Sequence, residues 1–194
     1  MVAMTLSHES VAQSHRFELE FMPVSRRFDV RAATDDEIPA LMQLTAGYLP
    51  AVTAAKLALR AVQRKSQSLL AIIAQGKLVG AFALLSLNER GLEQLLGDQL
   101  STTTPDLSGL TRPGERASAI YAWALCLPGP VAGAVGNLMS WLRQPPYIGC
   151  DIYACAGSPD GDRFIRKTGF QQLDQTLNGT PIWVYRRRMA EALA

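Results

Sequence analysis

The feature that most constrains the fold of this chain is a pair of apolar runs separated by a short turn. Residues 68–74 (Ser-Leu-Leu-Ala-Ile-Ile-Ala) are followed by Gln75-Gly76-Lys77 and then by a second apolar run over 78–87. The first run favours a strand and is too short for a good helix, and a Gly-containing turn between two such runs is typical of a β-hairpin. The sequence therefore predicts an antiparallel hairpin over 68–87.

Strand and helix patterns alternate along the rest of the chain. Thr34 followed by Glu37 is a capping box in front of an apolar stripe at helical spacing, which stops at Pro50. Asn178-Gly179 is a hairpin turn, and Gly169 is placed to end a helix. These patterns predict strands over 17–21, 27–31, 117–127, 147–156, 170–175 and 182–188, and helices over 38–49, 51–66, 133–142 and 159–168.

The length of 194 residues fits one domain with an extra arm. We expect residues 1–27 to form an N-terminal arm with a possible extra strand, and 28–190 to form the folded domain. Residues 88–117 interrupt the rhythm, because a short helix around Leu92–Leu96 precedes a loop rich in Gly, Pro, Ser and Thr. We therefore treat 88–117 as an insertion.

Composition excludes several classes of function. A net charge of +2 and an aromatic content of 7% argue against nucleic acid as a partner. The longest apolar runs are far shorter than a membrane span, and the first residues lack the layout of a signal peptide. We therefore expect a cytoplasmic protein that binds neither nucleic acid nor membrane.

The cysteines and histidines do not indicate a metal site. Cys150 and Cys155 are five residues apart on a predicted strand, so they point to opposite faces and cannot form a disulfide. Cys126 stands alone, and the histidines, His8 and His15, lie in the N-terminal arm. We expect no bound metal.

The order of elements over about 28–188 resembles that of the GNAT N-acetyltransferase superfamily. Residues 29–41 resemble its first strand and helix, and 162–170 resemble its fourth helix with the Gly-Phe that follows. The resemblance implies an α/β fold with a mixed, mostly antiparallel sheet and helices on both faces. It also implies acetyl-CoA or another acyl-CoA as co-substrate.

In that family the CoA diphosphate binds a Gln/Arg-x-x-Gly-x-Gly/Ala loop at the start of the third helix, where free backbone amides attract an anion. Residues 130–136 (Pro-Val-Ala-Gly-Ala-Val-Gly) fit this loop in two imperfect registers, and Pro130 or Val131 then stands at the Gln/Arg place. The alternative is that the small residues only permit close packing of the helix on the sheet. The cofactor-binding residues that the resemblance implies are Ala124, Leu125 and Cys126 for pantetheine, and Val131, Ala132, Gly133, Ala134, Val135 and Gly136 for diphosphate.

Catalytic residues are harder to assign. The family's acidic tyrosine on the fourth helix corresponds to Ile165 here, which we expect to be a core or pocket-wall residue. Near the ends of the predicted strands, we single out Tyr121, Cys126 and Ser158 as catalytic candidates, with Tyr153 and Cys155 as further possibilities. For the tyrosines and cysteines, simple core packing is the alternative.

A general base is also missing from the family's usual place. No Glu, Asp or His lies between Ala117 and Leu127, and Glu115 and Asp151 are the nearest carboxylates. An amine that arrives neutral needs no base. The implied function is acyl transfer to a small-molecule or peptide amine. The alternatives are a catalytically degenerate binding or dimerisation module, or a different α/β domain.

The remaining sequence features have both a structural and a functional interpretation. We expect the insertion to form a flap over the acceptor side of the cleft, with Leu92, Leu95 and Leu96 packed inward and 101–114 mobile. A homodimer contact through the same leucines is the alternative. The arginine runs 26–27 and 186–188 are expected to be solvated. Three tryptophans are expected to be core or interface residues: Trp123, Trp141 and Trp183. Trp123 could instead line an acyl or acceptor pocket.

Overall fold

The structure is a computed structural model that describes residues 19–46, 68–102 and 104–187. Within these ranges the strands of the sheet are β1 (Phe28–Ala32), β2 (Leu69–Ala74), β3 (Lys77–Leu87), β4 (Ala119–Cys126), β5 (Asp151–Cys155), β6 (Gln171–Leu177) and β7 (Thr180–Tyr185). The helices are α1 (Ile38–Ala46), α2 (Glu89–Leu96), α3 (Val135–Leu142) and α4 (Pro159–Lys167). The predicted helix over 51–66 lies outside the described residues.

The seven strands follow the order β1-β2-β3-β4-β5-β7-β6. All neighbouring strands are antiparallel except β4 and β5, which run parallel. Both predicted hairpins are confirmed. Each turns through two residues with positive φ, Gln75-Gly76 and Asn178-Gly179, which is the type I′ geometry that matches the twist of the strands.

Helices cover both faces of the sheet, which confirms the predicted α/β class. Alternate residues of the central strands face opposite sides, so that Ile120 and Ile152 pack against α3 and α4. On the other face Tyr121 and Tyr153 pack with Leu95 of α2. Helix α1 lies on this second face and buries Ile38, Leu41 and Met42 against β2 and β3.

Two predicted strands differ from the structure. Over the described part of 17–21, Leu19–Phe21 forms a 3-10 turn, because Leu19 is buried against the sheet face that α3 covers. The strand predicted over 147–156 begins only at Asp151. Tyr147 is instead buried in a turn, where its ring lies 4.9 Å from that of Trp141.

The described residues of the insertion over 88–117 pack in part on the sheet. Leu95 is fully buried and Leu92 and Leu96 pack beside it, as predicted. Residues 106–111, part of the loop that is predicted to be mobile, contact strand β3. There Leu110 pairs with Leu87 as an isolated β-bridge, and the Thr111 hydroxyl lies 2.7 Å from the Ser86 hydroxyl.

The arginine run at the end of β7 is not uniformly solvated. Arg186 is exposed, but Arg187 is buried and its guanidinium contacts the Glu20 carboxylate at 2.8 Å. Arg187 also donates to the carbonyl oxygens of Leu142 and Tyr147. The prediction of a solvated run is therefore wrong at Arg187. Its guanidinium joins the described residues before β1 (19–27, the N-terminal segment) to the end of α3.

The predicted capping box is present at the start of α1. Glu37 accepts a hydrogen bond from the Thr34 amide at 3.0 Å and two from the Arg31 guanidinium at 2.6 and 2.8 Å. These hydrogen bonds, that of Arg31 first, lower the pKa of Glu37 to about 2. Stabilisation by the ionised carboxylate is therefore present above the ordinary pKa and is lost as the pH falls through about 2.

We expect Glu37→Gln to reduce the free energy of unfolding by about 0.5–1 kcal/mol at pH 7, because the pair with Arg31 is partly exposed. Glutamine keeps an acceptor for the Thr34 amide, so only the charge is removed. Urea unfolding at pH 7, 4 and 3 should show the difference shrinking towards low pH. A difference that does not depend on pH would assign the effect to packing. Glu93 is exposed, so the control variant Glu93→Gln should change neither the free energy of unfolding nor its dependence on pH.

Candidate active site

Strands β4 and β5 part at the C-terminal edge of the sheet. Their parallel pairing runs from Ala119 and Asp151 to Ala122 and Ala154, whereas β4 continues to Cys126 paired only with β3. Among the described residues, the β4 edge over 123–126 therefore has no strand partner on the β5 side. Although β4 is the central strand of the sheet, Ala122–Leu125 are only half-buried. Ligands of open α/β sheets bind in clefts at this edge.

A β-bulge lies at the start of the opening. Ala83 pairs with Ala124 and Leu84 with Ala122, so Trp123 is an extra residue on β4. Such a bulge bends the strand and re-aims the side chain at that position. Trp123 lies half-buried where the cores beneath α1 and α2 meet. This placement is compatible with a pocket wall, which stays a prediction.

Tyr121 and Cys155 pack in the same cluster beside the opening. Cys155 is the first β5 residue beyond the last β4–β5 pair, and its thiol interacts with the Tyr121 hydroxyl. Burial raises the pKa of Tyr121 well above its ordinary value, and contact with Cys155 raises it further. Burial also raises the pKa of the Cys155 thiol; the Tyr121 hydrogen bond opposes this effect, and the charge of Asp98 adds to it.

The three predicted catalytic residues lie on two elements, Tyr121 and Cys126 on β4 and Ser158 at the start of α4. Tyr121 is buried beneath α2, while Cys126 is buried at the end of β4 and faces α1; burial raises the pKa of the Cys126 thiol. Ser158 caps α4, because its hydroxyl oxygen accepts from the Gly161 amide at 3.1 Å. Ser158 also lines an open cavity of about 500 Å³ against Trp183. The structure brings Tyr121 together with Cys155 instead.

The loop predicted to bind diphosphate is itself helical. A 3-10 helix runs over Gly129–Ala134 and continues into α3, so the helical segment begins at Gly129 and not at Gly133. The prolines that flank Gly129 favour this early start, because proline fixes a helical φ in the first turn. The amide of Val131 donates to the Pro128 carbonyl and that of Val135 to the Ala132 carbonyl. Those two amides are therefore not free.

Burial divides the residues of this loop into two groups. Val131, Ala134, Val135 and Gly136 are buried. A Cβ added at Gly136 would lie 2.0 Å from the carbonyl oxygen of Pro23, so this glycine admits the N-terminal segment. Ala132 and Gly133 are exposed and are the two members of the predicted set that a ligand can reach.

The residues considered for proton transfer have structural partners. Ile165, a residue of α4, is buried in the core, as predicted. Asp151 starts β5, at the end away from the opening, and its carboxylate pairs with Arg186. Glu115 accepts from the Arg112 amide within the insertion. Neither carboxylate lies on the strand ends that form the opening.

Two further observations concern metals and membranes. Within the described ranges, no cluster of three His, Cys, Asp or Glu side chains is arranged to hold a metal ion. Among the same residues, no helix combines the length and apolar character needed to cross a membrane.

Comparison with solved structures identifies the fold that has this sheet order and these parted parallel strands. No family model matches the sequence, and no curated protein matches it significantly. An acetyltransferase of the GNAT family from Streptococcus agalactiae is 11% identical with a TM-score of 0.54, over 84% of this chain and 96% of that one. The chain has the GNAT fold, as a divergent example.

Two other solved structures are similar over most of their length. A GNAT-like decarboxylase, GphF, in complex with isobutyryl-CoA is 16% identical with a TM-score of 0.53, over 82% of this chain and 100% of that one. The loading GNATL domain of CurA from Lyngbya majuscula is 14% identical with a TM-score of 0.53, over 82% and 97%. At these identities the likeness concerns the fold alone.

Proposed function

We propose that this protein binds an acyl-CoA between β4 and β5 and transfers the acyl group, most simply acetyl, to an amine of a small molecule or peptide. The observation that carries this proposal is the parting of the two parallel strands beyond Ala122 and Ala154. It exposes a backbone edge over 124–126 to which pantetheine amides can hydrogen-bond, as a further strand would. The isobutyryl-CoA complex of the similar GphF structure supports a CoA thioester as donor.

The diphosphate is better accommodated at the loop before α3 than at the start of α4. The first turn of α4 contains Asp160 and Asp162, whose charges already complement the helix dipole and oppose an anion. The exposed surface of Ala132 and Gly133 carries no such charge. We therefore propose that the diphosphate lies against Ala132 and Gly133.

Positioning supplies most of the rate in this proposal. A thioester held along β4 and an amine held on the α1 and α2 side would meet at the opening beside Trp123 and Cys155. Fixing two reactants in attack geometry can contribute several kcal/mol without any acid or base. Because no described carboxylate lies at the strand ends, the amine reacts in its neutral form, and turnover should rise with pH towards the pKa of the amine.

A catalytically degenerate binding module is the second candidate, and the core position of Ile165 favours it. Calorimetric titration with acetyl-CoA, isobutyryl-CoA and free CoA tests binding, and release of CoA thiol in the presence of an amine panel tests transfer. Micromolar binding with turnover supports the enzyme. Binding without turnover for every amine supports the module, and the absence of binding contradicts both.

The diphosphate site makes a separate prediction at Gly133. A side chain added there would meet only the Phe28 ring, at 3.4 Å, so substitution should leave the fold intact. We expect Gly133→Glu to weaken CoA binding at least tenfold, or about 1.4 kcal/mol, relative to wild type. The neutral Gly133→Gln should lose only about threefold, because it adds similar bulk without charge.

Salt and a truncated ligand make this comparison specific. The difference between the two variants should shrink as ionic strength rises, since salt screens exposed charges. Binding of acetyl-pantetheine, which lacks the diphosphate, should be equal in both variants. Equal CoA affinity for Gly133→Glu and wild type would place the diphosphate elsewhere.

A further inference from the structure

Acyl transfer from CoA requires a proton for the departing sulfur. When the amine attacks the thioester carbonyl and the intermediate collapses, CoA leaves as a thiolate. In this chain Ile165, a buried hydrocarbon, fills the place of the acid that the fold resemblance implies. Ser158 caps α4, and Cys126 faces α1 at the far end of β4. None of these three groups is an acid at the point where the strands part.

Two groups from two strands meet at that point. Cys155 follows Ala154, the last β5 residue paired with β4, and therefore lies at the apex of the opening, across from Trp123. Its thiol is half-buried, whereas Tyr121, which reaches it from β4, is only 4% exposed. A ligand lying between the strands can contact Cys155 but not Tyr121.

The surroundings of Cys155 keep its thiol protonated near neutral pH. Burial and the charge of Asp98, which follows α2, raise the pKa of the thiol, and Tyr121 is the group that lowers it. The Asp98 carboxylate is itself bound by the Asn178 amide, in the β6–β7 turn. A protonated thiol is the form that a proton donor needs. The raised pKa makes transfer to the thiolate of an ordinary alkyl thiol uphill, and the Tyr121 hydroxyl, which lowers the pKa of Cys155, offsets part of that cost.

We propose that Cys155 is the general acid that protonates the CoA sulfur, with Tyr121 as a positioning residue behind it. This inference rests on the proposed function. As the C–S bond of the intermediate breaks, the Cys155 S–H proton passes to the CoA sulfur and leaves a Cys155 thiolate. The Tyr121 hydroxyl donates a hydrogen bond to that thiolate. The thiolate then takes up the proton that the attacking nitrogen releases, so the products are the amide, CoA thiol and unchanged protein.

The first test measures proximity and needs no acceptor amine. The full-length protein is incubated at pH 8.5 with CoA disulfide or with glutathione disulfide, and each cysteine is followed by peptide mass spectrometry. The Cys155 thiolate attacks one disulfide sulfur, forms a mixed disulfide and releases one thiolate. We expect CoA disulfide to modify Cys155 at least tenfold faster than glutathione disulfide. Buried Cys150, at the other end of β5, serves as the internal control and should show no such preference.

The outcomes separate this inference from the proposed function. Calorimetry could show CoA binding while both disulfides modify Cys155 at equal rates. CoA would then bind without bringing its sulfur to Cys155. This result would overturn the assignment of Cys155 as the general acid and leave the proposed function standing. If CoA does not bind, both are overturned. A preference of tenfold or more at Cys155 alone supports both.

The second test uses kinetics on wild type and three variants. We expect Cys155→Ala to lower kcat at least 100-fold with the CoA dissociation constant within threefold of wild type. Cys155→Ser should not restore kcat, because a hydroxyl is a far weaker acid, although it would restore a purely structural contact. Cys150→Ser keeps a donor for the Ala117 carbonyl and should behave as wild type. An unchanged kcat in Cys155→Ala would overturn the assignment of Cys155 as the general acid.

The pH profile tests the role of Tyr121. Activity that depends on a protonated Cys155 falls as pH rises through the pKa of that thiol. Tyr121→Phe removes the hydrogen bond that lowers this pKa, so the alkaline limb should move to higher pH. This alkaline fall in activity should be absent from the pH profile of Cys155→Ala. A limb at the same pH in Tyr121→Phe and wild type would overturn the positioning role.

Discussion

Replacing Arg187 with alanine is expected to reduce the free energy of unfolding by about 3 kcal/mol, as is typical when one partner of a buried ion pair is removed. The guanidinium is 4% exposed and binds the Glu20 carboxylate at 2.8 Å and the carbonyl oxygens of Leu142 and Tyr147 at 2.9 and 3.0 Å. Alanine leaves all three acceptors without this donor. Urea unfolding followed by circular dichroism measures the loss.

Two further variants define the cause of that loss. Arg187→Lys keeps the charge but presents it as a single point, so it should recover only part of the stability. Arg163→Ala removes an exposed ion pair with Asp160 and should change stability by less than about 0.5 kcal/mol. If Arg187→Ala unfolds like Arg163→Ala, the N-terminal segment does not depend on this contact.

Features encoded by neighbouring residues could be predicted from the sequence. The hairpin turn at Gln75-Gly76 and the capping box at Thr34 and Glu37 each depend on a few adjacent residues, and the structure confirms both. The α/β class followed from the order of such local patterns. The strand predicted from Tyr147 started too early, because the packing of its ring against Trp141 is a tertiary contact that alternation of residue types does not report.

Features that depend on distant residues could not be predicted. Arg187 is buried because Glu20, 167 residues earlier, lies beside it. Gly136 belongs to the predicted ligand loop, yet the backbone of Pro23 occupies the space above it. Neither partner is indicated by the pattern around Arg187 or Gly136. Contacts of this kind follow from the fold, and the fold places the N-terminal segment on α3.

The place proposed for the ligand follows from the sequence, but the details of the opening there do not. The sequence predicts a ligand at the ends of β4 and β5, and the structure shows that these strands part there. The pairing of Tyr121 with Cys155 depends on the parallel register, which aligns Tyr121 with Tyr153 and thereby brings Cys155 one position beyond the last pair. That register could be determined only from the three-dimensional structure. The helical state of 129–134 was likewise hidden by its glycines and prolines.

Replacing Gly136 with alanine is expected to reduce the free energy of unfolding by about 2–3 kcal/mol. Alanine by itself would favour helix α3 by about 1 kcal/mol. However, its Cβ would lie 2.0 Å from the carbonyl oxygen of Pro23 and 2.9 Å from that of Met22. Both are backbone atoms that cannot rotate away, so the segment must move, and overpacking of this kind destabilises by about 1–3 kcal/mol or more.

The displaced segment would also lose its hydrogen bonds to Asn137, whose side chain binds the amide and carbonyl of Ser25 and the carbonyl of Phe28. Gly133→Ala in the same loop is the matched control and should change stability by less than about 0.5 kcal/mol, because only the Phe28 ring lies near. Equal stabilities of the two variants would show that the segment yields without loss.

The double variant shows whether the N-terminal segment docks as one unit. Asn137 and Gly136 hold it at the start of α3, and Arg187 holds it at the end of that helix through Glu20. If releasing either end frees the whole segment, the second substitution removes contacts that are already lost. The loss in Gly136→Ala/Arg187→Ala should then fall short of the sum of the single losses by at least about 1 kcal/mol. Strict additivity would mean that the two ends are held independently.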